Sequence, residues 1–471
     1  MVRFTIGMTG ILALTVMGAV SPAGAQTLSE ALAAAYQFNP TLAAARDELK
    51  ATDEQLAQAQ VYWWRPTLSA TLQEGRQWID QRTDDQFVNG GVQITDVKDH
   101  STQREINLEG EIYLWRGGQT LAAIDNARST IIAQEAVLAA TEMTTLSNVS
   151  SYYADVVLEL VNLQLANQNE DDLNQLWTMV EDMLASQRAT VGDIAQVNLS
   201  LAENEDSRLT TEALLQNARS SFHQLTGIYP TTLEHWPALP APPENLETAL
   251  AIAGRENPRI AAALAEVNAN EAAVREDEGA LLPTISITTN YTLEFDKTRF
   301  DHSAEITEHT RESTASVLLQ LSIPLYDGGL NYSYVREAKF VVAQSRSKLL
   351  ETQLDVENDA TMAWQNLGSA ERRINVSIDR WSAASDALAS EQRLFQQGQS
   401  TIRDVIDSQN DIISAQQAME QAYHDAFVAH VGLLVAMGRF DAFSLELPVT
   451  HFDPDAYLDE MQELPLGIGL E

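Results

Sequence analysis

Along residues 316–325 apolar and polar positions alternate, with Val317, Leu319, Leu321, Ile323 and Leu325 on one side and Ser316, Gln320 and Ser322 on the other. A period of two predicts a strand with one apolar face. Pro324 and then Asp327, Gly328 and Gly329 end it, and no proline follows until Pro448. The intervening run is rich in Ala, Gln, Leu, Glu and Ser, which favour helix. A strand therefore turns a tight corner into a very long helix. The same pattern occurs earlier. Ile106, Leu108, Ile112 and Leu114 alternate with Asn107, Glu109, Glu111 and Tyr113; Arg116, Gly117 and Gly118 follow, then a proline-free run to Tyr229.

The recurrence extends over the whole chain. LSEALAAAYQFNPTLAAA from Leu28 is answered by LETALAIAGRENPRIAAA from Leu246, so Asn39-Pro40 matches Asn257-Pro258. One interval, 211 residues, separates Leu114 from Leu325, Asp193 from Asp404 and Gly227 from Gly438. An internal duplication follows. The first repeat spans 26–229, with helices over 27–64, strands over 66–78 and 102–114 and a helical hairpin over 119–226. A proline-rich linker spans 230–244. The second repeat spans 245–447, with helices over 246–281, strands over 283–296 and 314–325 and a hairpin over 330–437; 448–471 is a C-terminal tail. Polar residues 79–101 and 297–313 read as loops. Asn before Pro at 39 and 257 supplies an N-cap with proline in the first helical turn.

Within the first hairpin Leu146, Val149, Tyr153, Val156, Leu160 and Leu163 step by three and four, a coiled-coil seam. In the second, Trp364, Leu367, Ile374, Ile378 and Trp381 do so less regularly. The descending helix would be roughly 100 Å long at the usual rise per residue, and its return only about half that. The helices that start at Pro40 and Pro258 are placed to stack end to end with the returns. Each hairpin breaks at related segments, Ser186–Thr190 and Gln397–Thr401, followed by Asp193 and Asp404 at the spacing of a capping box. Asp404, Asp407 and Asp411 share one helical face, so in a ring of chains they would converge as an acidic ring around an axis.

Four strands with one greasy and one small polar face, bearing Thr67, Ser69, Thr71 and Gln73 or Thr284, Ser286, Thr288 and Asn290, need something apolar beside them. In a soluble protein that would be a second layer, yet the long helices run away from the sheet. In an outer-membrane barrel it is lipid, with the polar face on water. Aromatic residues gather at the strand ends, Tyr62, Trp63, Trp64, Trp115 and Tyr326 at one and Trp78 and Phe295 at the other. Because the smallest barrels have eight strands, several copies must join.

Composition adds the compartment. Arg3, an apolar run from Ile11 to Val20 and Ala23-Gly24-Ala25 read as a cleaved export signal over 1–25. The chain has no cysteine, hence neither disulfides nor a lipid-acceptor thiol. A net charge of −38 argues against nucleic acid as a partner. No catalytic, cofactor or metal constellation is expected: the eight histidines are scattered and no glycine-rich phosphate loop follows a strand. His424 and His430 read as helix-surface residues.

The duplicated Asn-Pro helix, the LYDGG corner from Leu325 and the segment GQSTIRDVIDSQ from Gly398 resemble the TolC family of outer-membrane exit ducts. The resemblance covers nearly the whole chain after the signal. It implies an α+β membrane protein: a homotrimer whose four strands per chain build a twelve-stranded outer-membrane β-barrel in lipid, continued by a long periplasmic α-helical barrel. By the same resemblance Asp404 and Asp407 match aspartates of a periplasmic constriction, and Asp193 matches a first-repeat aspartate that helps hold it closed. Gly398 with Gln399 and Ser400, and Gln187 with Arg188 and Ala189, match turns that meet a periplasmic adaptor. Phe395 and Ser400 stand where the family has a gate tyrosine and an arginine, and Gln187 replaces a glycine. The implied function is passive export, coupled through the adaptor to an inner-membrane ABC exporter or proton-driven pump. The tail and the missing lipid-anchor cysteine favour type I protein secretion over drug efflux. The reading from another class is a coiled-coil surface stalk or adhesin.

Overall fold

The computed structural model describes residues 26–63, 65–86, 92–300 and 306–463. The export signal at 1–25 and Trp64 lie outside the described residues. The elements are α1 (Leu28–Phe38), α2 (Pro40–Gln60), β1 (Thr67–Gln86), β2 (Val92–Arg116), α3 (Gln119–Ala185), α4 (Val191–Thr226), α5 (Leu246–Glu256), α6 (Pro258–Gly279), β3 (Thr284–Phe300), β4 (Ile306–Ser322), α7 (Leu330–Gln396), α8 (Ile402–Ala436) and α9 (Asp455–Glu463). The chain divides into two compact units, one of residues up to 38 with 148–239 and 370–428, the other of 39–147, 240–369 and 429–471.

The second of these units holds a four-stranded antiparallel sheet in the order β1-β2-β3-β4. The two repeats meet at its centre, where β2 pairs with β3. Its outer strands, β1 and β4, are edges. The apolar side chains stand uncovered: Leu68 is 82% exposed, Leu72 77%, Val317 73% and Leu319 71%. Among the described residues the strands make their extensive contacts only with one another. No helix among the described residues is long and apolar enough to cross a membrane, which says nothing of a barrel.

The strands run further than sequence patterning predicts. Residues 79–101 and 297–313, read as loops, are largely ladder: Gln77 pairs with Ser101, Ile79 with Asp99, Lys297 with His309 and Arg299 with Thr307. The cause is that ladder hydrogen bonds need only backbone, so a sheet beyond the apolar band can be polar on both faces. Such strands carry no alternation to detect. Conversely β4 stops at Ser322, short of the expected 325, because Pro324 lacks an N–H for the ladder. The expected tail contains a helix, α9.

The Asn-Pro starts behave as their composition requires. Asn257 Oδ1 accepts from Arg259 N (3.0 Å), while its Nδ2 donates to Ala436 O (2.9 Å) at the end of α8. One side chain thus caps α6 and ties it to the helix that precedes it in space, as end-to-end stacking predicts. Beside it Arg439 grips Glu256 through Nε (2.6 Å) and Nη2 (3.1 Å). Arg439 and then Arg255 hold the Glu256 carboxyl down to about 2.

In the other unit the inter-repeat linker is pinned. Gln26 N donates to Thr232 O (2.9 Å) and Glu234 N donates to Gln26 O (3.2 Å). The buried Tyr153 hydroxyl lies 3.0 Å from the carbonyls of both Gln26 and Glu234, which share its one proton. Asn169, Asn204 and Gln409 form a buried polar ladder joining α3, α4 and α8, with Asn169 Nδ2 on Asn204 Oδ1 at 2.8 Å and Gln409 Nε2 on Asn169 Oδ1 at 3.3 Å. A satisfied polar contact inside an apolar seam fixes register, since sliding either helix would orphan it.

Candidate functional site at the paired helix breaks

Both hairpins break in the same way, and both breaks belong to the same unit. At the first, Gln187 takes a left-handed backbone, φ 63°, and Arg188 N and Ala189 N return to Met183 O at 2.8 and 3.3 Å. At the second, Gly398 has φ 71° and Gln399 N returns to Leu394 O at 2.9 Å. These closures satisfy carbonyls that the helix end leaves without partners. Glycine suits the left-handed position; Gln187 occupies it at a conformational cost of about 1 kcal/mol.

The chain then re-enters helix through reciprocal caps. Asp193 Oδ2 accepts from Thr190 N (2.7 Å) and Oγ1 (2.8 Å), and Thr190 Oγ1 accepts from Asp193 N (3.2 Å). Asp404 Oδ2 accepts from Thr401 N (3.0 Å), Thr401 Oγ1 (2.7 Å) and Ser400 Oγ (3.3 Å). The Thr401 hydroxyl, and then its amide, hold the Asp404 carboxyl below the usual carboxylate range. Asp193 and Asp404 are therefore caps, whatever else they do. Asp407 and Asp411 have no such structural duty, and with Asp404 they form an exposed carboxylate stripe on α8.

The opposite side of α8 packs the two breaks together. Ile402, Val405 and Ile406 join Val180, Val197 and Phe395 in one apolar cluster, with Ala189 and Ile194 at its margin. Arg403 Nη2 reaches Gln196 Oε1 at 3.3 Å. Phe395 is buried in this cluster, which explains a ring without a hydroxyl there. Ser400 Oγ also faces Glu391, so its one proton is shared between two carboxylates at the position where the resemblance implies an arginine. Gln187, Arg188, Gly398 and Gln399 are exposed, while Ala189 and Ser400 are half-buried.

The corner glycines belong to the other unit. Gly117 (φ 62°), Gly118 (86°), Gly328 (74°) and Gly329 (87°) are all left-handed. Asp327 fixes the second corner, its carboxylate accepting from Gly329 N (2.9 Å) and Asn331 N (2.8 Å). The first corner is tight: a Cβ on Gly117 would lie 2.3 Å from Gly279 O and 2.8 Å from Leu282 Cβ, whereas around Gly328 there is open space.

One group missed by sequence reasoning is His424, which is a largely buried side chain and not a helix-surface one. Nε2 faces Asp155 on α3 at 2.9 Å and Nδ1 faces Asp425 at 3.3 Å, while Arg373 of α7 takes the other Asp425 oxygen at 2.9 Å. The Trp236 ring lies edge-on 6.3 Å away, its Nε1 donating to Glu420 at 3.0 Å. Burial disfavours the imidazolium, but the hydrogen bonds to Asp155 and Asp425 outweigh it and raise the His424 pKa. The stability this contributes is present below the ordinary histidine pKa and fades as pH rises through the raised value. We expect His424→Gln to lower stability by about 1 kcal/mol at pH 6 and by less at pH 9. Thermal melts of the purified protein at both pH values check this; an equal loss at both would contradict it. Among the described residues no three His, Asp or Glu side chains are placed to hold a metal ion.

The geometry so far is duplicated hairpins, an uncovered apolar sheet face and two capped breaks. Comparison with known proteins matches residues 31–227 and 250–439 to the outer membrane efflux protein family, one segment for each repeat. The chain belongs to that family. It is 28% identical over 443 residues, 94% of this chain and 92% of the relative, to the outer membrane efflux protein BepC of Brucella suis biovar 1 (strain 1330). Identity to the outer membrane protein TolC of Escherichia coli (strain K12) is 20%, covering 92% and 86%. To the alkaline protease secretion protein AprF of Pseudomonas aeruginosa it is 21%, covering 82% and 79%. Among solved structures CusC superposes with a TM-score of 0.70 at 16% identity, over 89% of this chain and 95% of that one. The protein is thus an outer-membrane channel with the fold of its family, and the surface-stalk reading falls away.

Proposed function

We propose that three copies close the sheet into a twelve-stranded barrel and form a passive exit duct. In this reading a periplasmic adaptor couples the duct to an inner-membrane ABC exporter or proton-driven pump. One observation carries the closure: among the described residues the sheet has two open edges and an apolar face that no other element covers. An isolated open sheet of this kind would aggregate, whereas edge-to-edge closure in lipid satisfies both features. The corners support it. Gly117 packs against the α6 end, Gly279 and Leu282, in the opposite repeat, while its duplicate Gly328 is left facing open space. The end of α2 from a neighbouring copy would fill the place that α6 fills within the chain.

The exposed turns at Gln187, Arg188 and Ala189 and at Gly398, Gln399 and Ser400 are the proposed adaptor contacts. Asp193, Asp404, Asp407 and Asp411 are the proposed constriction, supported by the outward stripe on α8. For cargo we favour a secreted protein, in keeping with the similarity to the alkaline protease secretion protein AprF. Small-molecule efflux is the second reading, favoured by the similarity to the efflux protein BepC. Deleting the gene tests both. Loss of a protein from the medium with unchanged drug sensitivity supports secretion; an unaltered secretome with increased drug sensitivity assigns efflux.

A further inference from the structure

The C-terminal segment lies across α2 and α3 over a carboxylate that has nothing to bond. Phe452 and Leu458 pack onto the cluster formed by Ala45, Leu49 and Leu56 of α2 with Ile124, Ala127, Ile131 and Leu138 of α3. Arg46 stacks over the Phe452 ring at 5.4 Å, and Tyr457 donates to Glu54 Oε1 at 2.6 Å. In the middle of this contact Asp53 is only 1% exposed. Both of its carboxylate oxygens are buried without a hydrogen-bond partner among the described residues.

An ionised carboxylate in that position is costly, because it has given up water and received no donor in return. Its surroundings make matters worse. α2 contributes Glu54 beside it, α3 contributes Glu135 and α9 contributes Asp455, all acidic. The cations of α2 are placed elsewhere, Arg46 over Phe452 and Lys50 at Asp47 (3.6 Å). A metal ion does not resolve the conflict, since no three ligating side chains among the described residues are placed to hold one. A proton does, and needs no extra space.

We propose that residues 452–463 form a proton-sensitive strap, closed over α2 when Asp53 is neutral and released when Asp53 ionises. Once the strap lifts, the Asp53 carboxylate regains water and moves away from Asp455. Burial first, and then the charges of Asp455 and Glu54, push the Asp53 pKa from 3.8 up to about 6 in the closed state. Glu135 is also raised, by burial and then by Asp455 and Asp53. The sign follows: the closed state holds the proton more tightly, so closure weakens as pH rises from about 4 to about 6 and then levels off. The shift corresponds to a change on the order of 100-fold in the closing equilibrium. Further along the same surface Glu142 accepts from Ala442 N at 2.7 Å, with Arg46 and His451 beside it.

The chain has no cysteine, so a single label reports cleanly. Asp459→Cys, an exposed position on α9, is spin-labelled in the full-length purified oligomer and its mobility followed from pH 4.5 to 8. The expected result is an immobile label in acid and a mobile fraction that grows through about pH 6. Asp53→Asn should hold the label immobile at every pH, while His451→Gln should leave the transition in place. A label whose mobility ignores pH, or a transition that survives Asp53→Asn or vanishes with His451→Gln, overturns the proposal. Oligomer recovery on gels confirms that each variant is folded.

Discussion

Gly117→Ala is expected to abolish recovery of folded oligomer, while Gly328→Ala at the duplicated position costs far less within one chain. Two effects add at Gly117. Its φ of 62° penalises any Cβ by about 1 kcal/mol, and the new methyl would meet a backbone carbonyl at 2.3 Å. Backbone cannot swing aside as a side-chain tip can, so strand and helix must separate, for a total of about 3–5 kcal/mol. Gly328 shares the strained backbone (φ 74°) but has no atom within 4 Å. Its excess cost above about 1 kcal/mol, if measured in the oligomer, reports how closely the neighbouring copy approaches. Thermal unfolding and yield of heat-resistant oligomer read both. Equal losses at the two positions in a monomeric form would contradict the difference in packing.

The second large effect concerns ions. Asp404→Asn combined with Asp407→Ala should raise the concentration of a multivalent cation needed to block the channel by roughly 10-fold or more. Asparagine is chosen at 404 because it still accepts from the Thr401 amide and hydroxyl, so the cap on α8 survives and the loss of charge is tested separately from loss of helix. Each copy loses two carboxylates from an exposed stripe, and around a symmetry axis that loss is multiplied by the number of copies. The measurement is single-channel conductance in planar bilayers with and without the cation. Unchanged block would remove the acidic ring from the account and leave Asp404 a helix cap only.

Much of this architecture is legible in the chain because duplication repeats each signal. The strand expected to end at Leu114 and the glycines after Arg116 were readable once, and the 211-residue echo at Gly328 and Gly329 made the corner a rule. Capping at Asp193 and Asp404 was equally plain, since Thr-x-x-Asp needs only local geometry. What escaped detection depends on distant partners. Residues 79–86 and 92–101 form strand through backbone pairing with no apolar face to betray it. α9 is short and acidic, and is held by Phe452 and Leu458 docking on residues over 300 positions earlier. His424 looked like a surface residue because its own helix says nothing of Asp155, which α3 brings to 2.9 Å. Asp53 sits inside an amphipathic helix, and only the fold shows that a later segment covers it.

The exit duct depends on which medium touches the two sides of β4. On the cysteine-free chain, spin labels placed singly at residues 316–322 can be tested for collision with oxygen, which concentrates in lipid, and with a water-soluble nickel chelate. The duct predicts strict alternation, with Val317, Leu319 and Leu321 reached by oxygen and Ser316, Gln320 and Ser322 by nickel. If the labels at 317, 319 and 321 are reached by neither reagent, those side chains lie in a dry protein interior. The barrel would then be excluded.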